Sequence, residues 1–411
     1  MRVHRRHLHR RSLTEVPPPQ RLSAWRFIMA FGAVSLLMDF VYEGARSITG
    51  PLLAGLGASG AVVGIVTGIG EAAALGLRLV SGPLADRTQR FWAWTLAGYA
   101  LTAVTVPFLG LAGALWVASF LVVAERVGKA VRSPAKDTLV SHATAVTGRG
   151  KGFAVHEAMD QIGAVIGPLT VAGVLALTGD DYAPALGVLA VPGAAAIVLL
   201  LWLRARVPNP ASYEIVPVSS VPRSTASERL PRAFWVYAAF TASSMAGFAT
   251  FGVLSFHLVQ ERLVPTAAVP VIYAAAMAVD AIAALATGWL YDRVGARVLA
   301  VLPFLAAATT VLAFTRNAWL TVAGALLWGA AVGIQESTLR ATVADLVPVG
   351  RRATAYGVFA GITGAATFVG GALTGALYDV SVPALVVTVV VIQALALVLL
   401  LITRPPRSSN A

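Results

Sequence analysis

The chain has 411 residues, 57% hydrophobic and only 12% charged, with a formal net charge of +12. Soluble domains carry about 25% charged residues, so a chain this poor in charge cannot cover a water-facing surface and must largely face lipid. There is no cysteine, which excludes disulfides, thiolate metal sites and cysteine nucleophiles. The positive charge does not argue for nucleic acid either, because the arginines fall between apolar runs on alternate sides, which is orientation chemistry.

Residues 1–24 are basic and then Pro-rich, without the short apolar run and small-residue site of a cleaved signal peptide. They read as a solvated cytoplasmic tail, with His4, His7 and His9 belonging to that tail rather than to a metal site. Apolar runs near 20 residues, enough to cross about 30 Å of hydrocarbon, then follow one another. The first six are predicted at 25–49, 60–84, 92–113, 115–138, 152–178 and 183–203, and six more at 233–257, 267–290, 297–314, 317–341, 353–377 and 381–403. The expected organisation is a six-helix bundle over 25–205, a Ser- and Pro-rich cytoplasmic linker over 206–232, a second bundle over 233–404 and a short tail, 405–411. One set of loops holds Arg87, Arg90, Arg149, Lys151, Arg204, Arg206, Arg229, Arg232, Arg293, Arg297, Arg351 and Arg352, while the other holds only Arg262 and Arg316. Basic loops stay with the cytoplasm, so both termini are expected inside.

The halves repeat one another. Gly82-Pro83-Leu84-Ala85-Asp86-Arg87 after the second run returns as Gly288-Trp289-Leu290-Tyr291-Asp292-Arg293 after the eighth. Arg132 and Asp137 below the fourth run recur as Arg340 and Asp345 below the tenth. A parallel repeat of this kind is the plan of secondary transporters with a substrate path between the halves.

These motifs resemble those of the major facilitator superfamily, over roughly residues 25–404. The family signature G-x-x-x-D-R/K-x-G-x-R/K is met by Gly82, Asp86, Arg87 and Arg90, with Gln89 at the second glycine, and more fully by Gly288, Asp292, Arg293, Gly295 and Arg297. Glu125-Arg126-Val127-Gly128-Lys129-Ala130-Val131-Arg132 is similar to the family's arginine motif in the fourth helix, although Lys129 and Ala130 stand at the usual Gln-Gly. Gly163, Gly167 and Pro168 are similar to the G-x-x-x-G-P hinge motif that the family's antiporters carry in the fifth helix. The resemblance implies an all-α membrane fold of twelve helices in two bundles, with helices 1 and 4 lining a central cavity. It also implies cytoplasmic latches, Asp86 with Arg132 and Asp292 with Arg340, made while that side is closed and helped by a carboxylate at a helix N-terminus.

Eight of the 19 acidic residues fall inside predicted spans: Asp39, Glu43, Glu71, Glu125, Glu157, Asp160, Asp280 and Glu336. A charge at mid-bilayer costs about 2.5–3.5 kcal/mol on insertion scales, so these must face the bundle interior, paired or protonated. Asp39 and Glu71 are the first proton-coupling candidates, having no basic residue one turn away on their own helix, with Glu43 and Asp280 behind them. Arg46, Arg78, Glu125, Arg126, Lys129, His156, Glu157, Asp160 and Gln161 are expected in an intramembrane charge network, and Glu336 with Arg340 as an i, i+4 structural pair.

The expected function is secondary active transport by alternating access, as proton antiport exporting a small organic molecule. The alternative is a symporter or facilitator for a metabolite or anion, with the membrane arginines as ligands; a non-transporting sensor or scaffold is the alternative of another class. No Walker-type phosphate loop is present, so neither enzyme activity nor direct use of ATP is expected. The expected partners are the lipid bilayer of the cytoplasmic membrane and the substrate, with no cofactor, no metal and a monomer as the working unit; the proton gradient supplies the coupling ion.

Overall fold

The computed structural model describes residues 22–147, 149–213, 229–348 and 351–402. The basic tail with its histidines, most of the linker, the C-terminal tail, Gly148 and Gly350 lie outside the described residues. The helices are α1 (Ala24–Gly55), α2 (Gly60–Gly76), α3 (Arg78–Thr88), α4 (Phe91–Leu109), α5 (Leu115–Thr147), α6 (Arg149–Thr178), α7 (Tyr182–Gly187), α8 (Ala190–Arg206), α9 (Arg232–Ala246), α10 (Phe251–Gln260), α11 (Ala268–Val294), α12 (Val301–Ala313), α13 (Ala318–Leu346), α14 (Arg352–Val380) and α15 (Val382–Ile402). Ten helical stretches among the described residues are long and apolar enough to cross a membrane. One of these, Ala268–Ala313, contains both α11 and α12, and α5 is long enough but more charged, so the described residues hold twelve crossings.

The first and fourth crossings outrun the expected 25–49 and 115–138, because hydropathy marks the hydrocarbon while a helix continues into the polar zone beyond it. The second crossing is split at Leu77 into α2 and α3, and the seventh is split between Ala246 and Phe251 into α9 and α10. Broken backbone at membrane depth is tolerated only where other groups satisfy it. In the seventh crossing Gln393 Nε2 donates to the carbonyls of Ser244 and Gly247 at 2.9 and 3.0 Å, and Trp328 Nε1 donates to that of Ala249 at 3.0 Å. Thr250 caps α10, accepting from the Val253 N–H, and its hydroxyl meets that of Thr67 across the two halves at 2.8 Å.

Lipid tails are as apolar as leucine, so helix association in a bilayer depends on close contact rather than on burial. Glycines supply that contact between the halves. A Cβ on Gly64 would overlap the Gly371 carbonyl oxygen, and one on Gly375 would overlap that of Gly60, so α2 and α14 touch backbone to backbone. Where α2 begins, the Asp379 carboxylate at the end of α14 accepts from the N–H groups of Gly60 and Ala61, both at 2.8 Å. Helix α6 packs on α11, and α1 on α10, as further seams between the halves. Large buried side chains (Phe27, Phe31, Tyr99 in the first half; Phe240, Phe251, Trp328 in the second) fill each bundle.

Candidate functional site

Between the halves lies a cavity of about 620 Å³, walled by residues of α1, α2, α3, α5, α9, α13 and α14 and of the α9–α10 break. It begins at mid-depth, at Arg46, Thr250 and Trp328, and extends along Arg78, Leu79, Leu339, Arg340, Tyr356 and Gly357 toward the face that carries the Asp86 and Asp292 turns. The opposite face is shut by the α2–α14 glycine contact and the Asp379 cap. This is a conformation open to the basic face alone.

Charges gather at the apex of the cavity. Arg46 Nη2 lies 2.9 Å from Glu71 Oε1, and Arg46 Nη1 lies 3.4 Å from Glu43 Oε1. Arg126 reaches the same Glu71 oxygen at 3.5 Å and Glu125 at 3.2 Å. Two contacts cross from this network to the second half: the Tyr273 hydroxyl donates to Glu43, and the Arg46 guanidinium sits 5.9 Å from the centre of the Trp328 ring. Lys129 donates to the Tyr42 hydroxyl at 3.1 Å and lies over its ring, 4.4 Å from the centre.

Glu71 is therefore not the solitary carboxylate expected from its own helix. Its cations come from the first and fourth crossings, and it is shared between two arginines. The expected Glu336–Arg340 pair is likewise corrected: both side chains are exposed on the cavity wall and form no ion pair with one another. Exposure to the cavity removes the drive to pair that a dry helix face would supply. Glu125 does pair with Arg126, and Glu43 with Arg46.

A second cluster lies behind the cavity in the first half. Lys136 Nζ is 3.7 Å from Asp160 and 3.1 Å from His156 Nε2, which is also 3.2 Å from the Ser35 hydroxyl. An ammonium can only donate, so this ring nitrogen accepts. Arg132 stacks over Tyr99, 4.7 Å from the ring centre, and donates to Thr102 at 3.4 Å. Asp39 accepts from Tyr42 at 3.4 Å and, among the described residues, has no cation at ion-pair distance. Asp280 is 3% exposed, with Oδ1 lacking any hydrogen-bond partner and lying against Gly333. Glu157 and Gln161 lie nearby on α6, Glu157 exposed.

Both copies of the repeated turn are solvent-exposed. Asp86, Arg87, Arg90, Asp292, Arg293 and Arg297 line the open face, and neither Asp86–Arg132 nor Asp292–Arg340 forms an ion pair among the described residues. Gln89 holds a left-handed backbone, φ 54°, and Gly295 at the same place in the second copy also has a positive φ, 64°, though with ψ −154°, which explains why glycine suits that place. Gly82 faces Pro134 at ordinary contact distance, and Gly288 faces open space. In α6 the helix runs on through Pro168. A Cβ on Gly163 or Gly167 would overlap the Leu36 or Phe40 carbonyl, so these glycines seat α1 against α6. Asp379, Tyr273, Gln335 and Trp328 escaped the sequence reading. Only Asp379 left a trace there, as an acid at a helix end of the sparsely charged face.

The family model described as Major Facilitator Superfamily matches residues 28–279 and 264–411, and the chain belongs to that family of multi-pass membrane transporters. It is 66% identical over 390 residues to proteins of Mycobacterium tuberculosis and Mycobacterium bovis described as uncharacterised, covering 94% of this chain and 95% of theirs. It is 22% identical over 363 residues to a protein of Methanocaldococcus jannaschii described as an uncharacterised MFS-type transporter, covering 86% of this chain and 89% of that one. Among solved structures it resembles the nucleoside transporter NupG (TM-score 0.74, 13% identity, 92% of this chain and 99% of that one). A peptide transporter of the POT type is similar in fold (TM-score 0.73, 16% identity, 92% and 93%). So is a bacterial homologue of the lysosomal transporter Spinster in an inward-facing, occupied conformation (TM-score 0.68, 16% identity, 92% and 96%). The fold, the family and the one-sided cavity define a membrane transporter that works by alternating access, not an enzyme.

Proposed function

We propose that this protein is a proton-coupled transporter of a small organic molecule in the cytoplasmic membrane, with its basic face and both termini in the cytoplasm. The arginine excess on the open face supports that orientation. One observation carries the coupling. Asp280 is a carboxyl group buried at membrane depth with, among the described residues, no cation at ion-pair distance and an unpartnered oxygen, whereas Glu43, Glu71, Glu125 and Asp160 are all paired. Burying a bare carboxylate costs several kcal/mol, so Asp280 carries its proton in this conformation and releases it where water reaches it. Asp39 is the runner-up site for the same proton. The latches Asp86–Arg132 and Asp292–Arg340 belong to the other conformation, in which the cytoplasmic face closes.

Of two modes, antiport export is favoured by the likeness of the fifth-helix motif, although Gly163 and Gly167 already have a packing role. Symport is favoured by the positive charge of the cavity wall, and is the mode we infer. The test begins with a thermal-shift screen of metabolites and drugs. The strongest stabiliser is then assayed in proteoliposomes holding a lumenal pH dye. Substrate flux is expected to carry protons with it, and Asp280→Asn to abolish the proton movement while substrate binding persists. Full proton coupling in Asp280→Asn and in Asp39→Asn would reject both sites.

A further inference from the structure

The cations at and behind the cavity wall fall into two groups. Arg46 and Arg126, at the apex, are neutralised by Glu43, Glu71 and Glu125. Arg78, Lys129 and Arg340 are not: among the described residues none has a carboxylate at ion-pair distance. Arg78 spends one N–H on the Ala74 carbonyl of α2 at 3.0 Å, and the Lys129 ammonium donates to the Tyr42 hydroxyl. These three cations project from three crossings, two in the first half and one in the second, onto a single cavity. On the same wall Gln335, 8% exposed, has an amide nitrogen with no acceptor, a fourth donor waiting for one. Of the two carboxylates that line the cavity, Glu71 is already committed to two arginines, leaving Glu336 against three free cations. The same cavity is lined by Phe248, Trp328 and Phe359, with the Phe248 and Trp328 rings stacked at 6.2 Å and 5°.

We infer that the transported molecule is an amphipathic organic anion whose acidic group docks among Arg78, Lys129, Arg340 and Gln335 and whose flat apolar body lies on Phe248, Trp328 and Phe359. Alternating access requires the cavity to close over its cargo. Closing over a neutral or cationic molecule would strand three desolvated positive charges, and an anion removes that cost. The volume, about 620 Å³, lies within the range of sites for drug-sized ligands. The inference deepens the transporter reading by naming the substrate class of the same cavity.

It is tested by binding to the full chain in nanodiscs, where no proton gradient enters, so that a failure of proton coupling and a failure of substrate class remain separate results. Three probes share one ring system and differ in charge: naphthalenesulfonate, naphthalenesulfonamide and naphthylmethylammonium. The sulfonate is expected to bind at least about tenfold more tightly than either of the others, a difference of about 1.4 kcal/mol. Arg340→Gln and Lys129→Gln are each expected to cost the sulfonate about tenfold and to leave the sulfonamide unchanged. Arg340 is exposed on the wall, so its variant keeps the fold even where Lys129→Gln does not. Equal binding of the three probes, preference for the ammonium, binding of none, or sulfonate affinity unchanged in Arg340→Gln would overturn the inference.

Discussion

Gln89 occupies a backbone position, φ 54°, that favours glycine, and holds it with an exposed bond from its amide to the Asp86 carbonyl at 2.7 Å. Gln89→Gly is expected to stabilise the protein by roughly 0.5 kcal/mol, the relief of left-handed strain less that bond and the added freedom of the unfolded chain. A lower thermal midpoint would show the bond to outweigh the strain. At Glu71 the sign reverses. Two arginines share one oxygen there, so Glu71→Gln leaves Arg46 and Arg126 short of charge and is expected to cost roughly 2 kcal/mol, scaled down for its partial exposure. An unchanged unfolding midpoint in detergent would contradict the network. Such residues were half legible in the sequence. The presence of interior carboxylates followed from their cost in lipid. Which were paired did not, because the partners of Glu71 lie on other helices, while Glu336 and Arg340, correctly spaced on one helix, face water instead of each other.

At the scale of elements, the seam between α2 and α14 sets which face is open. Gly64 and Gly371 allow the backbones to touch, and Asp379 adds charge-assisted bonds to the free N–H groups where α2 begins. Asp379→Ala removes both bonds and is expected to shift the equilibrium toward opening on that face by about 1–2 kcal/mol. The chain lacks cysteine, so spin labels at Gly55→Cys and Val380→Cys report the separation directly. A grown population of longer distances is expected; an unchanged distribution would mean the glycine contact alone holds the face shut. The crossings were readable because about 20 apolar residues have few other uses. The break at Gly247–Thr250 was not, since its carbonyls are satisfied by Trp328 and Gln393, residues of distant crossings. The repeat pointed to a carboxylate latch on the cytoplasmic face, whereas the cap formed in this conformation, at Asp379, is on the other.

For the whole molecule, the two halves share a plan but not a charge distribution. The first half holds the apex network and the Asp160 cluster, the second holds Asp280 and Glu336, and the cavity between them carries surplus positive charge. Protonating Asp280, which is buried against Gly333 of α13 behind the cavity wall, removes a negative charge that would repel an anion there, and by linkage the anion favours the proton, which is why the proposed mode is symport. The most direct test of this account is proton movement during naphthalenesulfonate flux in proteoliposomes with a lumenal pH dye, since the sulfonate stays charged and does not leak across lipid as a neutral acid. The expected result is protons moving in the same direction as the sulfonate in the unmodified protein and no proton movement in Asp280→Asn. Sulfonate flux without protons, or protons moving with equal stoichiometry in Asp280→Asn, would contradict it.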